Sequence, residues 1–143
     1  ELFAVLPFGN TVVIETITGA QLEAALLNGL SPSCNPVVAT GRFPQVAGLE
    51  VSYVCAGTLP QINSISLRPG GMGGPAIPLA PGDSVRLVTN DFMHAGGDGY
   101  SVLALGTDVV FKEISLLELL GSYVNANSPV QPFVEGRIVK MAP

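Results

Sequence analysis

TVVIETITGAQLEAALLNG, running from Thr11 to Gly29, holds the change of period on which the fold class turns. Thr11 to Ile17 is rich in β-branched residues, whose stiff side chains suit a pleated surface, and reads as a strand. Directly after it, Leu22, Ala25 and Leu26 recur at helical spacing. The join is Thr18-Gly-Ala-Gln21, a capping-box spacing in which the threonine hydroxyl accepts an orphan amide proton and the glutamine reaches back. Asn28-Gly29 supplies the expected helix stop.

Further along the chain, Leu49 to Val54 and Ile62 to Leu67 each alternate apolar and polar residues as half-buried strands do. Gly57 and Pro60 lie between them, a connection short enough for an antiparallel hairpin. The glycine-rich run from Pro69 to Pro75 reads as a surface loop, and no domain boundary is placed there. Pro81-Gly-Asp83 turns the chain into a strand from Val85 to Thr89, followed by the polar, glycine-rich segment Asn90 to Tyr100. A short strand near Val109 to Phe111 leads to Ser115-Leu-Leu-Glu118, a second capping box, with Leu116, Leu119, Leu120 and Tyr123 as a helix stripe. Arg137 to Met141 completes the pattern as a strand. The prediction is an α+β chain: a single mixed α/β domain over residues 1–143, with a mixed sheet and at least two covering helices.

A chain of 143 residues, 48% apolar, is large enough to bury a core without metals or staples. Its 17 glycines and 12 prolines show no collagen-like period and leave clear apolar runs, which argues against disorder. Six basic against eleven acidic residues give a formal charge of −5, a balance that argues against wrapping a nucleic-acid backbone. No run of eighteen apolar residues and no basic region before an apolar stretch is present, so neither a membrane span nor a signal peptide is read. The hydrophobic opening ELFAVLPF makes Glu1 an expected boundary inside a larger protein.

Cys34 and Cys55 are too far apart for a CxxC redox site and too few for a structural zinc site. A disulfide and two buried free thiols are the remaining readings. If bonded, the pair implies a secreted, extracellular or periplasmic setting.

The single histidine, His94, shares a loop with Asp91 and Asp98, but no HExxH, paired-histidine or calcium-loop pattern supports a metal, and none is assigned. No GxSxG elbow and no phosphate-binding GxxxxGK[ST] loop occurs. Gly96-Gly97-Asp98-Gly99 carries a carboxylate, which repels phosphate but accepts hydrogen bonds from vicinal hydroxyls such as those of ribose. Phe8, in Leu6-Pro7-Phe8-Gly9-Asn10, and Phe92 could sandwich a planar base; the alternative is that both are ordinary core anchors beside turns. No residue is assigned a catalytic role.

Four ordered segments, LPFGN (Leu6 to Asn10), TGAQL (Thr18 to Leu22), GRFPQVAGLEVSY (Gly41 to Tyr53) and TNDFMHAGGDGY (Thr89 to Tyr100), together resemble the C-terminal substrate-binding domain of the secreted or periplasmic 5′-nucleotidase family. The resemblance implies that Phe8 and Phe92 clamp the base and that Asp98 binds the ribose hydroxyls. It implies shaping roles for Gly9, Asn10, Gly96, Gly97 and Gly99, with Asn90 capping or bracing the loop. The family's phosphate-facing arginines precede the PFG segment and would fall before Glu1; Arg42 is not one of them. The Cys34–Cys55 pair departs from the general pattern, and His94 stands where a small or amide side chain is usual.

What the resemblance implies for function is hydrolysis of nucleoside 5′-phosphates to nucleoside and phosphate, with catalysis in an N-terminal metallophosphatase domain that holds two divalent metal ions. This chain would need no cofactor of its own and would be inactive alone, its ligand a nucleoside or nucleoside 5′-monophosphate and its partner that N-terminal domain. The competing readings are a non-catalytic binding module for another planar ligand or a protein partner, and a fragment with no ligand affinity of its own.

Overall fold

The computed structural model describes residues 2–37 and 40–142. Glu1, where the sequence reading places a boundary, lies outside the described residues. The elements in chain order are α1 (Leu2–Val5), β1 (Thr11–Thr18), α2 (Gly19–Cys34), β2 (Leu49–Ala56), β3 (Leu59–Leu67), β4 (Ile77–Pro78), β5 (Ser84–Asn90), α3 (Asp91–His94), β6 (Thr107–Ser115), α4 (Leu116–Asn127) and β7 (Ile138–Lys140), with short 3-10 turns at Gly97–Gly99 and Ser101–Leu105. The mixed α/β class holds, but the strands divide between two sheets where the sequence reading counts one. The chain forms two compact units, residues 1–17 with 85–133 and residues 18–84 with 134–143.

In the first unit β1 lies between β5 and β6. It runs antiparallel to β6, with Val13 opposite Phe111 and Ile14 opposite Val110. Val12, Val13, Ile17, Tyr100 and Leu103 are buried here. The capping box of α4 forms as its spacing predicts: the Glu118 amide donates to Ser115 Oγ at 3.2 Å and the Ser115 amide donates to Glu118 Oε2 at 2.8 Å. The stripe on α4 is less covered than its pattern suggests, since Leu119 and Tyr123 stay exposed. The four-residue α1 that packs on it spans only about one turn.

The second unit holds the sheet β4-β3-β2-β7. β2 and β3 form the expected antiparallel hairpin, but pairing continues to Ala56 opposite Leu59, so the connection is only Gly57-Thr58 and Pro60 falls inside β3. Proline is tolerated there because β4 pairs only with Ser66 and Leu67, leaving that end of β3 an edge. β7 adds to β2 in parallel, Ile138 opposite Val51.

Helix α2 begins where the capping box places it and ends five residues beyond Gly29, correcting the expected stop. Pro32 has no amide proton for the Asn28 carbonyl; Ser31 Oγ donates to that carbonyl at 2.7 Å instead, so the helix continues. Leu22, Ala25, Leu26 and Leu30 form its buried stripe, each leucine contributing roughly 1.5–3 kcal/mol. Gly19 is required by space, since a Cβ would lie 2.2 Å from the Ala80 carbonyl oxygen. That close approach lets the Gly19 and Ala20 amides donate to the Asp83 and Pro81 carbonyls, at 2.8 and 2.9 Å, satisfying two orphan donors of the first turn. At the far end Cys34 is bonded to Cys55 of β2, and Tyr53 donates to Ser33 Oγ at 2.9 Å.

Candidate functional site

Two segments distant in sequence meet in the first unit. Asn10 Nδ2, from LPFGN, donates to Asp91 Oδ1 at 3.0 Å. The same oxygen accepts the Thr11 amide at 3.2 Å and the Phe92 amide at 2.9 Å. These contacts, the Asn10 amide foremost, hold the Asp91 carboxyl below the usual carboxylate range against the opposing effect of partial burial. Asp91 therefore fixes the residue after LPFGN, through Thr11, and the backbone of Phe92.

Asn90 caps the first turn of α3, its Oδ1 accepting the Met93 amide at 2.8 Å. The four-residue helix then gives way to Gly96, whose φ of +92° only glycine adopts readily. Gly97 meets a different demand. A Cβ at this position would lie 2.4 Å from the Phe92 ring, so the ring lies directly over its backbone. Asp98 takes the left-handed conformation at φ +53° and is exposed; Gly99 follows at φ +82°. The turn is anchored below by Tyr100, 4% exposed, whose amide donates to the Gly97 carbonyl at 3.1 Å.

Phe8 is 73% and Phe92 49% exposed, so neither ring is a core anchor. At Gly9 a Cβ would meet nothing within 4 Å and no left-handed φ is required, so the structure gives no steric reason for glycine there. Asn10 and Asn90 spend their amides on bracing and capping.

Sequence reasoning missed two carboxylates. Asp91 is the hub just described, whereas the sequence offered it only as a metal ligand. Glu15 is fully buried in β1, its Oε2 3.0 Å from His94 Nδ1. The signal for Glu15 was its period: it shares the inward parity of Val13 and Ile17, both buried, where an apolar residue belongs. His94 is thus a largely buried partner of β1, its ring standing edge-on to Phe111 at 5.4 Å.

Asp91 Oδ1 accepts three hydrogen bonds and His94 Nδ1 is engaged by Glu15. Among the described residues no group of three or more His, Cys, Asp or Glu side chains converges on a common point.

The family described as 5′-nucleotidase, C-terminal domain, matches residues 1–105. The chain belongs to this family. Its similarity to the trifunctional nucleotide phosphoesterase protein YfkN of Bacillus subtilis is 35% identity over 145 residues, covering 96% of this chain and 9% of that protein. A 5′-nucleotidase of Diplobatis ommata is 31% identical over 144 residues, covering 97% of this chain and 24% of its own length. Among solved structures, the 5′-nucleotidase precursor of Thermus thermophilus superposes with a TM-score of 0.84 at 33% identity, over 99% of this chain and 27% of that one. The chain therefore spans about a quarter or less of the relatives it matches, the part that this C-terminal family describes.

Proposed function

We propose that this 5′-nucleotidase C-terminal domain recognises the nucleoside of a nucleoside 5′-phosphate and presents its phosphate to an N-terminal metallophosphatase domain of the same protein. The observation that carries the proposal is the Asn10–Asp91 hydrogen bond, which ties together the two segments bearing the exposed rings of Phe8 and Phe92. A base stacked on such rings gains about 1–3 kcal/mol per contact. Asp98, exposed on the turn that follows, offers a carboxylate to ribose hydroxyls.

Two divalent ions, held by the partner domain, would supply the Lewis-acid chemistry of phosphate hydrolysis. This chain's own contribution is orientation: binding energy from base and ribose holds the substrate in place for reaction elsewhere. The isolated chain is then catalytically silent. The Cys34–Cys55 bond supports a secreted, extracellular or periplasmic protein. Among the described residues no helix is long and apolar enough to cross a membrane.

The test is an NMR titration of the isotopically labelled chain with adenosine, with ribose alone, and with adenosine against Phe92→Ala. Saturable shifts at Phe8, Phe92 and Asp98 that vanish in the variant support the reading. A wild-type chain that ignores adenosine but binds a different planar ligand or a protein overturns it in favour of the binding-module alternative.

A further inference from the structure

We infer that Glu15 and His94 form a positioning pair for the turn that carries Asp98, so that a buried contact sets how strongly the chain prefers a ribose with vicinal hydroxyls; the inference rests on the nucleoside reading above. Glu15 is the one fully buried carboxylate among the described residues. Its Oε2 lies 3.0 Å from His94 Nδ1, a distance that needs one proton between them whichever atom carries it. Among the described residues its Oε1 has no hydrogen-bond partner. The Gly106 backbone closes over the carboxylate so tightly that a Cβ there would lie 2.0 Å from Oε2.

Stability does not account for this arrangement. Burying a carboxylate is costly, and apolar replacements of similar volume at such pairs are often neutral or stabilising. Placement does account for it. Helix α3 has only four residues, too few to persist unaided. Asn90 and Asp91 hold its start, beside Phe92. His94 is its last residue, and through Glu15 it ties that end to the central strand β1 just before the Gly96 to Gly99 turn. The two ends are therefore held by separate devices, one under the aromatic ring and one next to the carboxylate turn. Loosening the second leaves stacking in place and blurs the position of Asp98.

The test compares dissociation constants for adenosine and 2′,3′-dideoxyadenosine in the wild-type chain, Glu15→Val and Glu15→Gln, alongside hydrogen exchange at the Tyr100 amide, which is bonded to the Gly97 carbonyl. The wild type is expected to prefer adenosine by at least about tenfold, the scale of a hydrogen bond to a charged group. In Glu15→Val that ratio falls to about threefold or less while affinity for the dideoxy compound holds, and Tyr100 exchange speeds up about fivefold or more. Glu15→Gln keeps the shape and a hydrogen bond to Nδ1, and restores both. If Glu15→Val does not fold, Glu15→Val with His94→Leu, apolar on both sides, carries the same comparison. A Val variant with wild-type discrimination and wild-type exchange overturns the inference. A wild-type chain that binds neither compound overturns the nucleoside reading instead, and the exchange comparison alone then decides whether the pair positions the turn.

Discussion

Asn10 and Asp91 stand 81 residues apart in sequence and 3.0 Å apart in the structure, and the carboxylate oxygen that joins them also accepts two backbone amides. Asp91→Ala removes the common acceptor and leaves three donors to find water or nothing. The expected cost is about 1–3 kcal/mol in urea unfolding, with adenosine affinity falling in parallel because the two aromatic segments lose their tie. Asp91→Asn keeps one acceptor and should cost less. Equal stability of wild type and Asp91→Ala would show that the brace is idle.

The same carboxylate gives the chain an acid sensitivity whose sign follows from its hydrogen bonds. Asp91 is held below the usual range chiefly by the Asn10 amide, and Glu118 chiefly by the Ser115 hydroxyl of its capping box. A carboxyl lowered in the folded state stabilises fully above its unfolded value and loses that contribution as pH falls through the folded one. The unfolding midpoint should therefore hold steady down to about pH 4 and fall below it. The double variant Asp91→Asn with Glu118→Gln should begin less stable at pH 7 and fall less steeply on acidification.

Gly97 and Gly9 make a contrasting pair. A Cβ at Gly97 would lie within 2.6 Å of three Phe92 ring atoms, while at Gly9 it would meet nothing within 4 Å. Gly97→Ala should push the ring from its seat and weaken adenosine about tenfold, the scale of one lost stack, with little change in thermal midpoint because an exposed ring has room to move. Gly9→Ala should leave both binding and stability near wild type. The two titrations side by side separate a glycine that seats a ring from one that merely neighbours it.

Removing the disulfide by Cys34→Ala with Cys55→Ala frees a loop with a sequence separation of 21, which in the chain-entropy account costs about 3 kcal/mol. The end of α2 keeps Tyr53 on Ser33 Oγ and Lys140 on the Ser33 carbonyl, so the helix should shorten by fraying rather than detach. Circular dichroism through a thermal melt reads both effects, and an unchanged melt would mean that those contacts suffice.

Local chemistry made most of the fold legible. Both capping boxes announce themselves because hydroxyl and acceptor lie three residues apart, and the β2–β3 hairpin because alternation persists on either side of Gly57. What escaped depends on partners remote in sequence or on local contacts that exist only once an element has formed. The end of α2 could not be read from Asn28-Gly29, since the rescue of the Pro32 gap by Ser31 shows only once the helix exists. Nor could alternation divide the strands between two sheets, because it gives each strand a face without naming its neighbours. At the candidate site the residue types on exposed turns were legible, Phe8, Phe92 and Asp98 among them. The groups that hold those turns were not: Asp91 read as a possible ligand and Glu15 as one polar letter in a strand, because a brace is defined by its far end.

Asp98 allows the chemistry of its side chain to be separated from the conformation of its backbone. At φ +53° it occupies a region that costs most residues about 1–2 kcal/mol and that aspartate and asparagine tolerate better than others. Asp98→Ala would combine strain with loss of the carboxylate, and any weakened binding could come from either. Asp98→Asn keeps the backbone preference and removes the charge and one acceptor oxygen. It should weaken adenosine about tenfold while sparing 2′,3′-dideoxyadenosine. Asp98→Gly relaxes the strain and removes the carboxylate, so it should bind as poorly as Asp98→Asn. Stability that rises with glycine while binding falls with both variants would identify this turn as one held strained for its ligand. Wild-type affinity in Asp98→Asn would remove the carboxylate from the site.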